Sequence, residues 1–333
     1  MKTAVVILNY NTKDYLRQFL PGLIDSCKGL DAQVIVADNA STDGSAALMK
    51  EQFPQVPLIE LDRNYGFTGG YNKALGEIEA DYFVLINSDI EVPEGWLQPL
   101  VEWMDTHPEC GACGPKLLSY KERDSFEYAG AAGGLIDRYG YPFCRGRILG
   151  KVEKDKGQYN SPADVLWVSG ACLMVRSHIW KSLGGLDSRF FAHMEEIDLC
   201  WRMQLRGWKV TVVPQSFVYH IGGGTLPASS PFKQRLNFRN NLLLLENNLP
   251  ATFAAEGKSE KTARRKARRR ILARMCFDGL SALVYLVTGR WSAFKAVLQA
   301  HREYRQLRKE GDIPANPRMP EGLYNGWIVP KGL

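Results

Sequence analysis

The sequence predicts an α/β fold in which helices cover both faces of an open, mostly parallel sheet. Residues 4–9 and 33–38 are short apolar runs that end in polar residues, and Leu16, Leu20 and Leu23 between them have helical spacing. A strand, a helix and a strand within about forty residues form a βαβ unit with parallel strands. The alternation continues with helices at 45–53 and 69–78 and strands at 58–61 and 82–86. This repetition predicts a doubly wound sheet.

The second part of the chain is less regular. Residues 119–165 are rich in Gly, Tyr and charge, and we expect an insertion of short strands and loops there. Residues 165–176 predict a central strand broken at Ser169-Gly170, and residues 209–213 predict another strand. Helices are expected around 195–206, at 232–249 and, once or twice, within 258–310. We therefore divide the chain into an α/β domain, 1–250, and a helical extension, 251–333.

Composition excludes several classes of protein. A chain of 333 residues with 45% hydrophobic content buries a large core, which excludes disordered and fibrous proteins. The amino-terminal apolar run, 4–8, is too short for the core of a signal peptide, so we expect a cytoplasmic protein. Seven scattered cysteines argue for reduced thiols, and Cys110 and Cys113 are expected to be ordinary core residues.

Polar residues follow each apolar run of the predicted sheet. They are Asn9-Tyr10-Asn11, Asp38-Asn39-Ala40-Ser41, Asp62-Arg63-Asn64 and Asn87-Ser88-Asp89. In a doubly wound sheet, ligands bind beyond the carboxyl ends of the strands. The sequence therefore predicts a binding crevice along this edge.

Two aspartates in these groups have alternative interpretations. Asp89 either binds a hard divalent cation through its carboxylate or caps a helix opened by Pro93, and spacing does not separate the two. Asp38 either accepts the ring N–H of a uracil or thymine or closes a turn before a helix near Asp43. The glycines of GFTGGYN, 66–72, are by themselves a weak signal for phosphate binding.

Two downstream groups add candidate chemistry. The acids Glu195, Glu196 and Asp198 open a helix, where the helix dipole favours acids, and Asp198 has the spacing to pair with Arg202. At least one glutamate is then free to accept a proton from a hydroxyl. His220 ends an extended segment before Gly222-Gly223-Gly224, and a neutral imidazole is a good Mn²⁺ ligand, although a lone histidine is more often structural.

Taken in order, seven motifs resemble the family 2 glycosyltransferases. They are VVILNYN (5–11), VIVADNASTDGS (34–45), RNYGFTGGYNKAL (63–75), VLINSDIEV (84–92), VSGACLMVR (168–176), FFAHMEEIDLCWR (190–202) and VYHIGGGT (218–225). The resemblance covers about residues 3–245 and is nearest to bacterial rhamnosyltransferase-like members. It implies an inverting enzyme with the GT-A fold, a Rossmann-like, doubly wound, mostly parallel sheet.

The resemblance also implies roles for individual residues. Asp38 would hold the pyrimidine base of the donor, with help from Asn9, Asn11 and Asn64. Asn87-Ser88-Asp89 stands in the place of the family's D-x-D motif, and Asn87 departs from its first acid.

Asp89 and His220 would then hold the metal, and Glu196 would be the base. Glu196 stands where the family often has Asp, so the division of roles between Glu195 and Glu196 stays open.

These roles predict a metal-dependent transferase that uses Mn²⁺ or Mg²⁺. The donor would be a nucleoside-diphosphate sugar, dTDP-rhamnose first and a UDP-hexose second, and the acceptor a glycan or lipid-linked hydroxyl in cell-surface polysaccharide synthesis. A sugar nucleotidyltransferase would need a glycine-rich lysine loop, which VVILNYNTKDYL lacks. A non-catalytic carbohydrate-binding protein would not need Asp89, Glu196 and His220 together.

The carboxyl-terminal part carries the basic character of the chain. Residues 261–274 contain eight Lys or Arg and no acid, and subtracting them from the net charge of +6 leaves −2 for the rest. Arg274 and Asp278 argue against a membrane-spanning helix at 271–287. A basic, partly apolar helix fits the surface of an anionic membrane, so we expect peripheral attachment at the cytoplasmic face. The alternative, a helical pair packed on the catalytic domain or at a homo-oligomer interface, has nearly equal weight, and nucleic-acid binding is not expected because aromatic residues are not interleaved with the arginines.

Overall fold

A computed structural model describes residues 1–222 and 230–329 of the chain. Its amino-terminal half alternates strands and helices as the sequence predicts. These elements are β1 (Thr3–Asn9), α1 (Lys13–Ser26), β2 (Ala32–Asp38), α2 (Ser45–Gln52), β3 (Leu58–Glu60), α3 (Gly66–Gly76) and β4 (Tyr82–Ile86). The four strands are parallel and lie in the order β3-β2-β1-β4. All their carboxyl ends therefore meet at one edge.

The buried faces of β1 show why this segment forms a central strand. Val5 and Ile7 pack into one hydrophobic cluster, with α1, and Ala4 and Val6 pack into another, with α3. A strand covered on both faces has no polar side, which explains the continuous apolar run. The predicted doubly wound architecture is confirmed.

The sheet is completed by the second half of the chain. The next elements are β5 (Ile90–Glu91), α4 (Gln98–Thr106), β6 (Cys110–Ser119), β7 (Gly134–Asp137), β8 (Pro142–Cys144), β9 (Arg147–Ile148), β10 (Lys151–Val152), β11 (Ala163–Asp164), β12 (Cys172–Arg176), α5 (Ser177–Ser182), α6 (Glu195–Gln204) and β13 (Lys209–His220). Strand β12 is antiparallel to β4 and β6, and β13 is parallel to β6. The resulting sheet of nine described strands is mixed, with its parallel strands β3, β2, β1 and β4 on one side.

Strand β13 is longer than the sequence predicts. The expected strand covers Lys209 to Val213, and the next residue, Pro214, has no backbone N–H to donate to a neighbouring strand. In the structure the pairing with β6 is irregular between Val212 and Phe217 and then resumes as far as His220. The proline lies in that irregularity, so the strand continues past it.

The insertion and the carboxyl terminus form a second, small sheet. Strands β7 to β10 lie in residues 119–165, where the sequence predicts short strands. The last elements of the described chain are α7 (Pro231–Ala255), α8 (Glu260–Val287), α9 (Trp291–Leu307) and β14 (Leu323–Tyr324). Strand β14 pairs in parallel with β7, so the chain returns to the insertion after its helices.

The three long helices pack on one another. Helix α7 contacts α6, α8 and α9, and it runs without a break through residue 250, where we place the domain boundary. The division at residue 250 therefore stays a prediction. Within residues 1–222 and 230–329, no helix has the length and apolar content needed to cross a bilayer.

Candidate functional site

Asp89 and His220 meet at the carboxyl edge of the sheet. Asp89 lies three residues after β4, and β13 pairs antiparallel with β5 so that His220 lies opposite Ile90. This pairing brings Oδ1 of Asp89 to 3.2 Å from Nε2 of His220. Both residues are buried, with 8% and 6% of their surface exposed. Helix α4 begins at Gln98, so the alternative interpretation of Asp89 as the cap of a helix opened by Pro93 is wrong.

The same histidine faces a second carboxylate, which the sequence did not reveal. Oε1 of Glu127 lies 3.6 Å from Nδ1 of His220, and Oε2 of Glu127 accepts a hydrogen bond from the backbone N–H of Ala129 at 2.5 Å. Burial lowers the pKa of His220, but the hydrogen bonds and charges of Asp89 and Glu127 raise it to about 10. Glu127 lies in the insertion, whose lack of periodicity gave no signal for its position.

The residues around His220 fit a divalent cation. In the described parts of the chain no cluster of three His, Cys, Asp or Glu side chains has metal-binding geometry. Mg²⁺ and similar cations at nucleotide sites usually take one or two protein ligands and complete their shell with phosphate oxygens and water. One carboxylate and one imidazole nitrogen, once a cation has displaced its proton, match that donor set. Gly222 has a φ of +70°, and a Cβ there would lie 2.9 Å from Oε1 of Glu127; Gly223 and Gly224 lie outside the described residues.

Asp38 and Asn9 form the first part of the predicted nucleotide site. Oδ1 of Asp38 accepts a hydrogen bond from Nδ2 of Asn9 at 2.7 Å, and Oδ2 accepts one from the backbone N–H of Ser41 at 2.9 Å. The second bond closes a turn, as one interpretation of Asp38 predicts. Each carboxylate oxygen keeps a further lone pair for a ligand.

Asn11 and Asn64 lie in neighbouring loops and contact other partners. Oδ1 of Asn11 accepts from the backbone N–H of Thr42 at 2.7 Å. Oδ1 of Asn64 accepts from Nδ2 of Asn39 at 3.0 Å, and Oδ1 of Asn39 accepts from the backbone N–H of Tyr65 at 3.0 Å. Asn39 is 2% exposed and joins the loops after β2 and β3. The sequence favoured only turn chemistry for Asn39, so this contact was missed.

The two glutamates at the start of α6 differ in environment. Glu195 is buried, and Glu196 is partly buried; one carboxylate oxygen of each has no hydrogen-bond partner. Burial raises the pKa of Glu196 to about 7, although nearby backbone amides lower it. Burial and the charge of Glu196 raise the pKa of Glu195 well above its usual value. Burial therefore favours the protonated form of both carboxyl groups.

The backbone before these glutamates is strained. Phe191, His193 and Met194 have φ values of 64°, 72° and 71°, a region that L-residues rarely occupy. Nδ2 of Asn240, on α7, lies 2.7 Å from the carbonyl of Ala192 and 2.8 Å from that of His193, so it holds this loop. Non-glycine residues with positive φ are found more often at functional sites than elsewhere. The sequence signal was RNNLLLLENN, which places four amide side chains in an otherwise apolar helix.

Asp198 supports the structure of α6 instead of facing the crevice. Its Oδ2 accepts from Nε of Arg202 at 2.7 Å, which confirms the predicted ion pair. Its Oδ1 accepts from Nδ2 of both Asn247 and Asn248 at 2.9 Å. Both carboxylate oxygens of Asp198 therefore accept hydrogen bonds from other side chains of the protein.

Glu196 lies beside the strand end that carries Asp89. The backbone N–H of Asn87 donates to the carbonyl of Ala171 at 2.9 Å. A Cβ on the preceding residue, Gly170, would lie 3.4 Å from Cβ of Glu196. The three predicted groups Asp89, His220 and Glu196 therefore belong to one edge of the sheet.

Two curated relatives resemble the chain over about two thirds of its length. The L-rhamnosyltransferase of Mycobacterium tuberculosis named N-acetylglucosaminyl-diphospho-decaprenol L-rhamnosyltransferase is 29% identical over 234 residues, which are 65% of this chain and 75% of that protein. The O-antigen biosynthesis protein RfbC of Myxococcus xanthus is 27% identical over 222 residues, 66% of this chain but only 17% of that protein.

Solved structures show the same fold at low sequence identity. The mannosyltransferase PcManGT from Pyrobaculum calidifontis, in complex with GDP-Man and Mn²⁺, has a TM-score of 0.54 and 14% identity, covering 92% of this chain and 88% of that one. TarS 1-349 of S. aureus, in complex with UDP, has a TM-score of 0.52 and 16% identity, covering 99% of both chains. These neighbours confirm the predicted GT-A fold.

A family model that matches just over half of the chain identifies the family. The model of glycosyl transferase family 2 matches residues 4–176, which include the strand ends with Asn9, Asp38 and Asp89. With the related transferases, this match favours an enzyme over a carbohydrate-binding protein and sugar transfer over nucleotidyl transfer. The chain belongs to glycosyltransferase family 2 and is a glycosyltransferase that resembles the rhamnosyltransferases.

Proposed function

We propose that the protein transfers rhamnose from dTDP-rhamnose to a hydroxyl of a lipid-linked or glycan acceptor, with inversion, during cell-surface polysaccharide synthesis. The mycobacterial relative supports this choice, because its name states rhamnosyl transfer to a diphospho-decaprenol acceptor. A UDP-hexose is the second choice of donor. The reaction would take place at the cytoplasmic face of the membrane that carries such an acceptor.

One observation carries the proposal: Asp89, His220 and Glu196, far apart in the sequence, lie at one edge of the sheet. At 3.2 Å from each other, Asp89 and His220 would be able to bind a single cation together. The neighbouring contacts of Ala171 and Gly170 bring Glu196 to the same strand end. A transferase needs a group for the departing diphosphate and a base for the acceptor.

Asp89 and His220 would hold Mn²⁺ or Mg²⁺. A divalent cation supplies positive charge to the departing diphosphate when it is bound. The carboxylate of Glu127, 3.6 Å from Nδ1 of His220, would help to orient the imidazole so that Nε2 faces the ligand. Asn87 adds no charge to this group, unlike the acid that the family often has there.

Asp38 would hold the pyrimidine of the donor. Its remaining lone pairs are free to accept the ring N–H, and the bond from Asn9 fixes the orientation of the carboxylate. Asn11 and Asn64 would shape the walls of the same pocket through the loops that they hold.

Glu196 would be the base. The carboxylate takes the proton of the acceptor hydroxyl while that oxygen bonds to the anomeric carbon and the bond from this carbon to the diphosphate oxygen breaks. Attack from the face opposite the leaving group inverts the configuration. A pKa of about 7 suits this role, because the deprotonated form is abundant and still basic. Glu195, whose pKa is raised well above its usual value by burial and by the charge of Glu196, is the alternative base.

A panel of nucleotide sugars tests the proposal. Each donor is incubated with the protein and Mn²⁺, with and without a prenyl-diphospho-sugar acceptor, and the released nucleoside diphosphate is measured. We expect dTDP-rhamnose to be used fastest and the acceptor to increase its turnover. Preference for a UDP-hexose would replace the first choice of donor, and no release from any donor under either condition would contradict sugar transfer by this site.

A further inference from the structure

Helix α8 has an apolar outer face that no other described residue covers. Its inner face packs on α7 and α9 through residues such as Ala263, Ala267 and Ile271. The opposite face exposes apolar side chains at a spacing of three or four residues, the period of one helical face. We call these residues the outer stripe: Leu272, Cys276, Leu280, Leu283 and Val287. Leu272, Leu280, Leu283 and Val287 are 61%, 60%, 53% and 74% exposed.

The outer stripe continues into a basic surface at the amino-terminal half of α8. Arg265, Arg268 and Arg269 lie on the same face by helical spacing and are exposed. Several cations of the run contact acids of the protein: Arg264 contacts Glu260, Lys266 contacts Glu256, and Arg268 contacts Glu310. The basic run is therefore divided between these ion-paired residues and an outward-facing pair, Arg265 and Arg269.

The carboxyl end of the stripe carries no negative charge. Residues 279–302 contain Arg290, Lys295 and Arg302 but no Asp or Glu. Trp291, which begins α9, is 59% exposed next to the end of the stripe. Tryptophan is enriched where proteins meet the interface of a bilayer. An apolar stripe with cations at both ends is complementary to an anionic lipid surface, which offers both negative headgroups and apolar acyl chains. An acidic protein surface would match only the cations.

The stripe does not belong to a spanning helix. Asp278 is buried on the inner face, where it accepts from Nε of Arg274 at 2.9 Å and lies 3.2 Å from Nε2 of His301. These internal contacts fix the rotation of α8 with its apolar side outward. A helix of this kind lies in the plane of the interface, with its apolar face among the upper acyl chains.

We propose that the outer stripe of α8, together with Trp291, docks on an anionic lipid bilayer. Arg265 and Arg269 contact the headgroups, and the apolar residues of the stripe enter the boundary of the acyl chains. This docking is independent of the sugar donor and goes beyond the proposed transfer reaction. It brings the enzyme to the surface on which a lipid-linked acceptor is presented.

Vesicle sedimentation tests the docking with the intact protein. We expect binding to vesicles of phosphatidylcholine with phosphatidylglycerol, weaker binding to phosphatidylcholine alone, and a decrease in binding with salt. The double variant Leu283→Gln, Val287→Gln should bind these vesicles at least about tenfold more weakly than the wild type. Val152→Gln, which changes an exposed valine of β10, is the matched control and should bind like the wild type.

A charge variant and a labelled thiol provide independent readouts. Arg265→Gln with Arg269→Gln should weaken binding to anionic vesicles, whereas Lys121→Gln with Lys156→Gln, also exposed, should not. Cys276 is the exposed cysteine of the seven, so a polarity-sensitive dye reacts there. Its emission should shift to shorter wavelength on the vesicles.

Three results would overturn the proposal. They are no binding of the folded protein to anionic vesicles, equal binding of the stripe variant and the wild type, and a lipid-free dimer that the stripe variant converts to a monomer. The last result would assign the stripe to a second copy of the chain. Donor hydrolysis by the stripe variant should equal that of the wild type, so a failure of docking is distinguishable from a failure of the proposed transfer.

Discussion

Replacing Glu196 with glutamine removes the proposed base while keeping the size of the side chain. In the structure this carboxylate has one oxygen without a hydrogen-bond partner, and burial raises its pKa to about 7. A positioned base contributes roughly 10²–10⁴-fold to the rate of a proton transfer. We expect Glu196→Gln to lower the transfer rate by about this factor and to change donor affinity by about twofold or less.

The pH dependence of kcat/KM provides a second quantitative test of Glu196 as the base. The base acts in its deprotonated form, so kcat/KM of the wild type should fall about tenfold for each pH unit below 7 and level off above it. A titration of initial rates from pH 5.5 to 8.5 measures this profile. Glu195→Gln is the matched control: it makes the same change at the neighbouring glutamate and, with Glu196 as the base, should keep most of the activity.

The free energy of unfolding should decrease as the pH rises, whereas kcat/KM should increase. The pKa of Glu196 rises from 4.5 to about 7 on folding. The contribution of this group to the free energy of unfolding is therefore fully present below pH 4.5 and is lost as the pH rises through 7. At about 1.4 kcal/mol for each unit, the wild type should lose roughly 3 kcal/mol between pH 4.5 and 8 through this group. Urea unfolding of Glu196→Gln should show a flatter dependence over the same interval.

The reasoning would be refuted by a Glu196→Gln variant that transfers sugar at the wild-type rate. It would also be refuted by a wild-type profile that is flat between pH 5.5 and 8 while Glu195→Gln loses activity. The first result would remove Glu196 from the chemistry, and the second would make Glu195 the base.

Three other changes have defined outcomes. Asp89→Ala should lower donor affinity by about tenfold or more in the presence of Mn²⁺, measured by calorimetry, because the cation loses its carboxylate; equal affinity would contradict the metal assignment. Asn240→Ala should lower the free energy of unfolding by about 1–3 kcal/mol in urea, because buried carbonyls lose their donor. Asp198→Ala should cost about 3–5 kcal/mol in the same assay, because Arg202 loses a buried partner. A variant of either residue with wild-type stability would contradict these contacts.

The parallel part of the fold was predictable because its signal is local. Strands β1 and β4 are continuous apolar runs, and such runs are typical of strands covered on both faces. The polar residues after them follow from topology, since all parallel strands end at one edge. Asp89 was therefore placed in the crevice by its sequence context, although its role as a metal ligand stays a prediction.

The rest of the site depends on contacts between distant segments. Glu127 lies in an insertion without periodicity, and only the folding of that insertion onto the sheet brings it to His220. Asn240 is one of several asparagines on α7, and its role follows from a loop nearly fifty residues earlier in the chain. Hydrogen bonds of this kind leave no pattern in a single sequence, because they depend on how helices and loops pack.

The irregular pairing within β13 controls which side chain completes the site. Successive residues of a strand point to opposite faces, so the two halves of β13 keep their phase only through the extra residues between Val212 and Phe217. Removing one residue from this interval, with the first half of β13 held in place, would bring Ile221 to the position of His220. In this chain, the length of this short interval is therefore as decisive for the site as the identity of the imidazole.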